Sequence, residues 1–474
     1  MPHSGPAPRT APSAPPAALR QSWGPIGLPL ALGWLGMATI GLNVVRIAGY
    51  PLSDFIFLAL AGVMFAKVLV GDESGLAPPS ARRSSQYVML GSVILLTAGV
   101  LSSFQSWNPE ESLTVVARLG YVTLLWFWVV RAVTPTRRAL NVLLSGWRAG
   151  VMLIAVVTIL AEVGVLHVGI DNPEERQTAF STHPNNLAGY LLVGLPLLMM
   201  SLPRRSHHTR QRQTLVRLAA VGMVMYAITT TGSMTGFLAA VLAIFVTIAI
   251  TLLIPPVDSA RRRVQPLAVM LGAVVVAAGV GLLMTSDLPV VERFQRLEEG
   301  DSAVTTSANH RGRLNAAVLD RFDDWLVVGV GLDHASVYAS GITDDVTVTG
   351  SVHNMYLKVL FEAGLPALIG LMIIVGATVR AALMLVINTR DTELYPVAVA
   401  ALASVIAALT FAFFGPILFE RYFWLPVSIV WCLWALRREE LRRQPVAAPV
   451  RPAAPAPLAA LPPAPQDARP NGRG

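Results

Sequence analysis

Apolar runs of about twenty residues, the length that crosses a ~30 Å hydrocarbon core, recur along almost the whole chain. They fall at 25–46, 53–71, 87–105, 111–131, 147–167, 186–203, 215–231, 233–254, 265–285, 366–388, 395–417 and 420–436. The pattern predicts an all-α integral membrane protein of about 12 transmembrane helices. The polar positions between the runs alternate in kind. Every second connection is basic: Arg82-Arg83, Arg137-Arg138, Arg204-Arg205 with Arg210 and Arg212, Arg261-Arg262-Arg263, Arg390, and Arg437-Arg438 with Arg442-Arg443. The intervening connections are short or acidic, as in Asp171-Asn172-Pro173-Glu174-Glu175. Positive charge concentrates on the cytoplasmic side of membrane proteins, so both termini are expected in the cytoplasm. The one long connection, about 286–352, is then extracytoplasmic, and its helical spacing of Leu314, Val318, Arg321 and Trp325 predicts short surface helices there.

Composition narrows this further. Hydrophobic residues make up 54% of the chain and charged residues only 14%, which excludes a string of soluble domains. A formal charge of +8 invites a nucleic-acid reading, but the arginine alternation accounts for it as topology, so no nucleic-acid partner is expected. Cys432 is the single cysteine, which excludes a disulfide framework or a cysteine metal centre. Residues 1–22 and 438–474 are Pro/Ala-rich and read as disordered tails flanking a membrane domain at 23–437.

The most unusual polar stretch opens the tenth run. It reads Ser351-Val352-His353-Asn354-Met355-Tyr356-Leu357-Lys358-Val359-Leu360-Phe361-Glu362-Ala363-Gly364-Leu365-Pro366. On a helix, Asn354, Lys358 and Glu362 form one polar stripe. Lysine occurs elsewhere only at position 67, so this is no generic basic face. Gly364 suits a helix stop and Pro366 a restart. An unbroken helix from Asn354 to Asn388 would run to about 52 Å, so a short polar helix, a break and a true span from about Pro366 are expected.

Other polar groups gather on the same predicted face. Arg46 and Asp54 flank the first outer turn, and Glu420 and Arg421 the last. Arg176 and His183 precede Pro184-Asn185-Asn186-Leu187-Ala188, and Ser233 sits in the link Thr231-Gly232-Ser233-Met234. Arg311 and Arg313 lie in the long loop ahead of Gly329-Val330-Gly331. Each has an ordinary explanation: Asn185 or Asn186 as a helix cap, Ser233 as a satisfier of backbone groups, the loop arginines as partners of Asp320, Asp323 and Asp324, and His353 as an interfacial cap. Their convergence is what points to chemistry. Guanidinium groups bind phosphate oxygens bidentately, and a histidine at a helix N-terminus, where positive charge is disfavoured, is suited to act as a base.

These residues resemble the signature of the bacterial O-antigen ligase/polymerase superfamily. The likeness lies in Arg311, then Gly329-x-Gly331, then His353-Asn354-x-Tyr356-Leu357-x-x-x-x-Glu362-x-Gly364, with Pro184-Asn185-x-Leu187-Ala188 and the Ser233 link in order upstream. The resemblance implies a C-type, metal-independent, cofactor-free membrane glycosyltransferase of the bacterial cytoplasmic (inner) membrane. Such an enzyme moves a glycan from an undecaprenyl-diphosphate donor to a glycan or glycolipid acceptor hydroxyl at the outer leaflet. By motif it makes His353 the catalytic base and Arg311 a diphosphate ligand. Arg313, Arg176, Asn354, Tyr356, Glu362, Ser233, Arg421 and Arg46 are the further substrate-binding candidates. One departure is that Met234 stands where the family usually has arginine after the serine. A transporter or flippase of lipid-linked or small solutes is the alternative, as is a non-catalytic membrane scaffold; neither explains why the polar groups collect on one face.

The arginine pattern predicts a labelling result. In a Cys432→Ser background, a membrane-impermeant thiol reagent applied to intact cells will modify Ser302→Cys and leave Ser259→Cys unmodified. The reverse would move His353 to the cytoplasmic side.

Overall fold

The computed structural model describes residues 27–43, 45–47, 50–71, 85–166, 168, 178–181, 183–200, 207–257, 289–298, 312, 315, 316, 318–320, 322–334 and 352–443. The N-terminal tail, the C-terminal tail from 444 onward, the expected span at 265–285, and the arginines at 82, 83, 176, 204, 205, 261–263, 311 and 313 lie outside the described residues. The helices are α1 Leu28–Thr39, α2 Leu52–Leu69, α3 Gln86–Ser103, α4 Pro109–Ala132, α5 Arg137–Glu162, α6 Pro184–Met199 and α7 His207–Thr230. They continue with α8 Met234–Leu253, α9 Pro289–Glu298, α10 Phe322–Trp325, α11 Met355–Asn388, α12 Tyr395–Phe411 and α13 Arg421–Arg443. Arg46–Ile47 and Tyr50–Pro51 form a small antiparallel hairpin, Arg46 opposite Pro51.

The chain is therefore an all-α, multi-pass membrane protein. Among the described residues six helices are long and apolar enough to cross a bilayer (α2, α3, α4, α5, α8 and α11), and three shorter apolar helices accompany them. Two helix boundaries depart from the expected runs. The helix at the fifth run begins at Arg137, ten positions before 147, because Thr136 accepts from the Ala139 amide and caps it there. The last helix runs to Arg443, beyond the expected boundary at 437, and Arg437 and Glu440 pair one turn apart, 3.5 Å, within that extension.

Apolar burial in such a bundle rests on close packing, since lipid is as apolar as leucine. Gly91 of α3 and Gly370 of α11 show the mechanism. A Cβ on Gly91 would lie 2.5 Å from the Gly370 carbonyl oxygen, and one on Gly370 2.7 Å from that of Gly91. Hydroxyls inside the helices return their protons to carbonyls one turn back, as Thr123 does to Leu119 and Thr158 to Ile154, so they cost little at that depth.

Charge separates to the two ends. At one end Arg137 meets Glu440 at 2.6 Å and Glu393 at 3.6 Å, Arg437 meets Asp391 at 3.5 Å, and Arg390 donates to the Pro255 carbonyl at 2.7 Å. Three of the connections read as basic thus share one end. The starts of α2, α6, α11 and α13 lie at the other.

The break in α11 organises that second end. Gly364 has φ 78° and ψ 177°, a non-helical conformation inside the continuous element Met355–Asn388. Pro366 has no N–H, and Leu365 donates away from the helix, to the Leu326 carbonyl at 2.7 Å. The carbonyls of Phe361 and Glu362 therefore lose their intrahelical donors. The segment after α10 replaces them: Val330 N–H donates to Phe361 at 3.2 Å and Gly331 N–H to Glu362 at 2.9 Å. The glycines permit the approach. Gly329 and Gly331 have φ of 85° and 99°, and a Cβ on Gly329 would sit 2.5 Å from the Glu362 carbonyl. Trp325 packs edge-on against Phe361, centroids 5.2 Å apart, in a small satellite core with Val318 and Val352.

Gly329→Ala will thus destabilise the purified protein by about 2–5 kcal/mol, from left-handed backbone strain plus overlap. Gly376→Ala, in the same helix with nothing within 4 Å of its would-be Cβ, will be neutral or stabilising by up to about 1 kcal/mol. Thermal melts in detergent compare the two, and equal melting temperatures would remove the docking argument.

Candidate active site

The second end carries two charged clusters. In the first, Lys358 Nζ lies 3.0 Å from Asp333 Oδ1 and 3.5 Å from Glu362 Oε1. Glu362 is only 1% exposed, whereas the Asp333 side chain is 56% exposed. The expected stripe is real in part: Lys358 and Glu362 face each other one turn apart, while Asn354 is the N-cap, its Oδ1 accepting from the amides of Tyr356 and Leu357 at 2.9 and 3.1 Å. His353 is half-buried, one position ahead of that cap. Tyr356 donates to the Leu409 carbonyl at 3.0 Å and stacks at a tilt on Phe413, 4.6 Å between centroids. The Met355 amide donates to Ala412 at 2.8 Å. These contacts seat the start of α11 against the end of α12.

The second cluster is built on Asp54. Arg421 grips it with two nitrogens, Nε to Oδ1 at 2.8 Å and Nη2 to Oδ2, and Tyr121 Oη donates to Oδ1 at 3.1 Å. Tyr121 opens the π-helical turn Tyr121–Trp126 within α4, and such turns re-aim a side chain within an otherwise regular helix. Glu420 accepts from Asn186 Nδ2 at 3.4 Å. Desolvation pushes the Glu420 carboxyl above the usual carboxylate range, with Arg421 opposing it. Arg46 is exposed at the hairpin and donates to the Asn43 carbonyl at 3.1 Å.

The sequence-predicted residues thus divide. Asp54, Glu420 and Arg421 come together with Asn186, joining the starts of α2, α6 and α13. Ser233 caps α8, accepting from Gly236 at 3.2 Å, and Gly236 lies against Ala188: a Cβ there would meet that of Ala188 at 2.5 Å. His183 is exposed and caps α6, its ring accepting from the Asn185 amide at 3.0 Å. Asn354, Tyr356, Ser233 and Arg421 all spend polar atoms on the protein itself, so their visible work is to shape the site. Met234 is half-buried beside the Ser233 cap. Arg118, expected within a span, is exposed on α4, its guanidinium 5.7 Å from the centre of the Tyr50 ring.

Two participants went unseen in the sequence. Asp333 is one loop carboxylate among several, and only the Gly329-x-Gly331 docking brings it to Lys358. Tyr121 sits in an apolar run with no periodic signal, since a π-turn shifts the register that periodicity would read.

Removing Arg421 leaves Asp54, whose side chain is 6% exposed, buried and unneutralised. Arg421→Ala should therefore destabilise by about 3–5 kcal/mol, and the double variant Asp54→Asn/Arg421→Gln should recover much of that loss. Melting temperatures of the three proteins decide it; an Arg421→Ala protein as stable as wild type would show the pair to be ornamental.

No curated protein matches the chain. Residues 218–372, which run from α7 through α8, the long connection and the α11 break, match the family model described as O-antigen ligase. The matched region contains Ser233, Gly329-Val330-Gly331, His353 and Glu362-Ala363-Gly364; of these, the two glycine-bearing segments meet at the break in α11. Over this stretch, about a third of its length, the chain is similar to the O-antigen ligase family.

Proposed function

We propose that this protein, a multi-pass membrane glycan transferase of the ligase or polymerase type, uses an undecaprenyl-diphosphate-linked glycan as donor. The acceptor is a hydroxyl of a glycan or glycolipid, and the reaction takes place at the outer leaflet of the bacterial cytoplasmic membrane. The observation that carries this reading is the dock of Gly329–Gly331 on the carbonyls of Phe361 and Glu362. It makes the end of the long connection and the start of the His353 helix one unit, at the end of the bundle opposite the basic connections.

In this reading His353 removes the proton from the acceptor hydroxyl as its oxygen attacks the anomeric carbon. The bond from that carbon to the diphosphate oxygen breaks, and the lipid diphosphate leaves with the electron pair. Negative charge grows on the leaving group, so cations there lower the barrier more than they tighten binding. Arg311, Arg313 and Arg176 are assigned to the diphosphate, with the exposed Arg46 at the rim. Arg421, engaged bidentately by Asp54, is assigned to hold the first hairpin and last helix together. Twelve crossings with cytoplasmic termini and a metal-independent reaction complete the proposal.

Transfer from undecaprenyl-diphosphate glycan in proteoliposomes, with EDTA present, tests it. His353→Ala should fold, bind donor and transfer about 10²–10⁴-fold more slowly, the range for a lost general base. Arg311→Ala should weaken donor binding and slow transfer together, with Arg311→Lys a partial rescue, because an ammonium cannot form the bidentate fork. Near wild-type transfer by His353→Ala overturns the base assignment. Normal transfer by both variants, with solute or lipid movement depending on other residues, would install the transporter reading.

A further inference from the structure

The structure assigns to Asp333 and Lys358 a role that neither the family signature nor the proposed chemistry supplies: they are positioning residues, a polar latch that holds the docked segment Leu326–His334 against the helix that begins after His353. The inference rests on the glycan-transfer reading only for its kinetic consequence.

An ion pair between Lys358 and Glu362, one turn apart on one helix, would satisfy the buried ammonium with a single carboxylate. The structure adds a second from another element, at 3.0 Å against 3.5 Å for Glu362. That second carboxylate is held at a conformational cost, because Asp333 is a non-glycine residue at φ 62°, where L side chains are strained. Strain kept at one position needs a compensating contact, and the Asp333 side chain makes one with Lys358. The cluster carries one lysine and two carboxylates, so net charge does not explain it. Position does.

The latch closes a three-way junction. Its segment donates backbone hydrogen bonds to Phe361 and Glu362 on one side. On the other, the Leu332 amide donates to Ser112 Oγ at 2.9 Å, and Ser112 in turn shares a 2.8 Å hydroxyl contact with Ser103. The turn between α3 and α4 and the first turns of α11 are therefore registered to each other through residues 329–334. Lys358 sits five positions after His353, within the short helix that Gly364 separates from the rest of α11. A helix of about two and a half turns, cut loose at its far end, owes its placement to what docks on it. Loosening that dock would move the base relative to the acceptor, and small misplacements are expensive in rate.

The test uses the full-length protein in a Cys432→Ser background with a nitroxide at Val327→Cys, a position 67% exposed. Asp333→Asn should increase nitroxide mobility and lower kcat per folded molecule about fivefold, the scale of a half-exposed ion pair. The donor KM should stay within about twofold, since an effect on kcat with unchanged binding marks a contribution made in the transition state. Asp333→Glu should restore both readouts. Raising the salt concentration should move the wild type toward Asp333→Asn and leave that variant unchanged. A merely structural role would lower the yield or melting temperature and leave kcat per folded molecule intact, and that outcome overturns the latch. So does unchanged nitroxide mobility in Asp333→Asn. The spectrum needs no turnover, so if wild-type protein fails to transfer the lipid-linked glycan at all, the functional reading falls while mobility still decides the latch.

Discussion

A peptide carbonyl left without a donor near or inside a bilayer is costly, and the break at Gly364 creates two of them at once. Their satisfaction by Val330 and Gly331 N–H groups is the constraint on which this end of the bundle depends. It explains why two glycines are needed thirty-odd residues upstream of Gly364: the approaching backbone must come close enough to donate, and any side chain would stand in the way. The same contact fixes where Asp333 falls, and through it how Lys358 and Glu362 are arranged. The signature residues are therefore less a list of catalytic groups than the parts of one joint, with His353 just beyond its free end.

Beside this joint stands an ionic one. The Asp54–Arg421 pair links the first hairpin to the last helix, closing the bundle across its sequence extremes, with Tyr121 and Glu420–Asn186 attached. A buried ion pair adds little net stability over apolar packing but makes loss of one partner severe. It is suited to fixing geometry more than to strengthening the fold. Both joints sit at the end away from Arg137, Arg390 and Arg437, so rigid polar construction and candidate chemistry share one end, and these arginines occupy the other.

The proposed chemistry uses this rigidity in a simple way. A donor anchored in the leaflet and an acceptor arriving from outside must meet at a base whose position does not drift. Helix caps at His183, Ser233 and Asn354 and the Tyr356–Leu409 bond all fix backbone at that end. They leave the arginines of the long connection, together with Arg176 and Arg46, as the groups assigned to the diphosphate.

Much of the architecture was legible in the sequence because membranes enforce strong rules. Apolar length fixes spans, and an alternating arginine pattern gathers Arg137, Arg390 and Arg437 at one end, as the ion pairs of Arg137 and Arg437 and the Arg390–Pro255 bond bear out. The break after Glu362 was legible too, since glycine and proline have local backbone consequences that need no partner. Of the residues that carried the family resemblance, Ser233 and those from Arg311 to Gly364 fall in the O-antigen ligase match, whereas Pro184–Ala188 lie ahead of it. What the tertiary structure alone decided were the pairings across sequence distance. Arg421 reads as a free cation beside a membrane mouth until Asp54 appears opposite it. Asn354 and Ser233 read as ligands until the amides they cap are seen, and Asp333 has no mark at all. The physical reason is the same throughout: hydropathy and backbone propensity are local quantities written residue by residue, whereas the partner that satisfies a given charge or carbonyl is set by how helices pack, and packing depends on every helix at once.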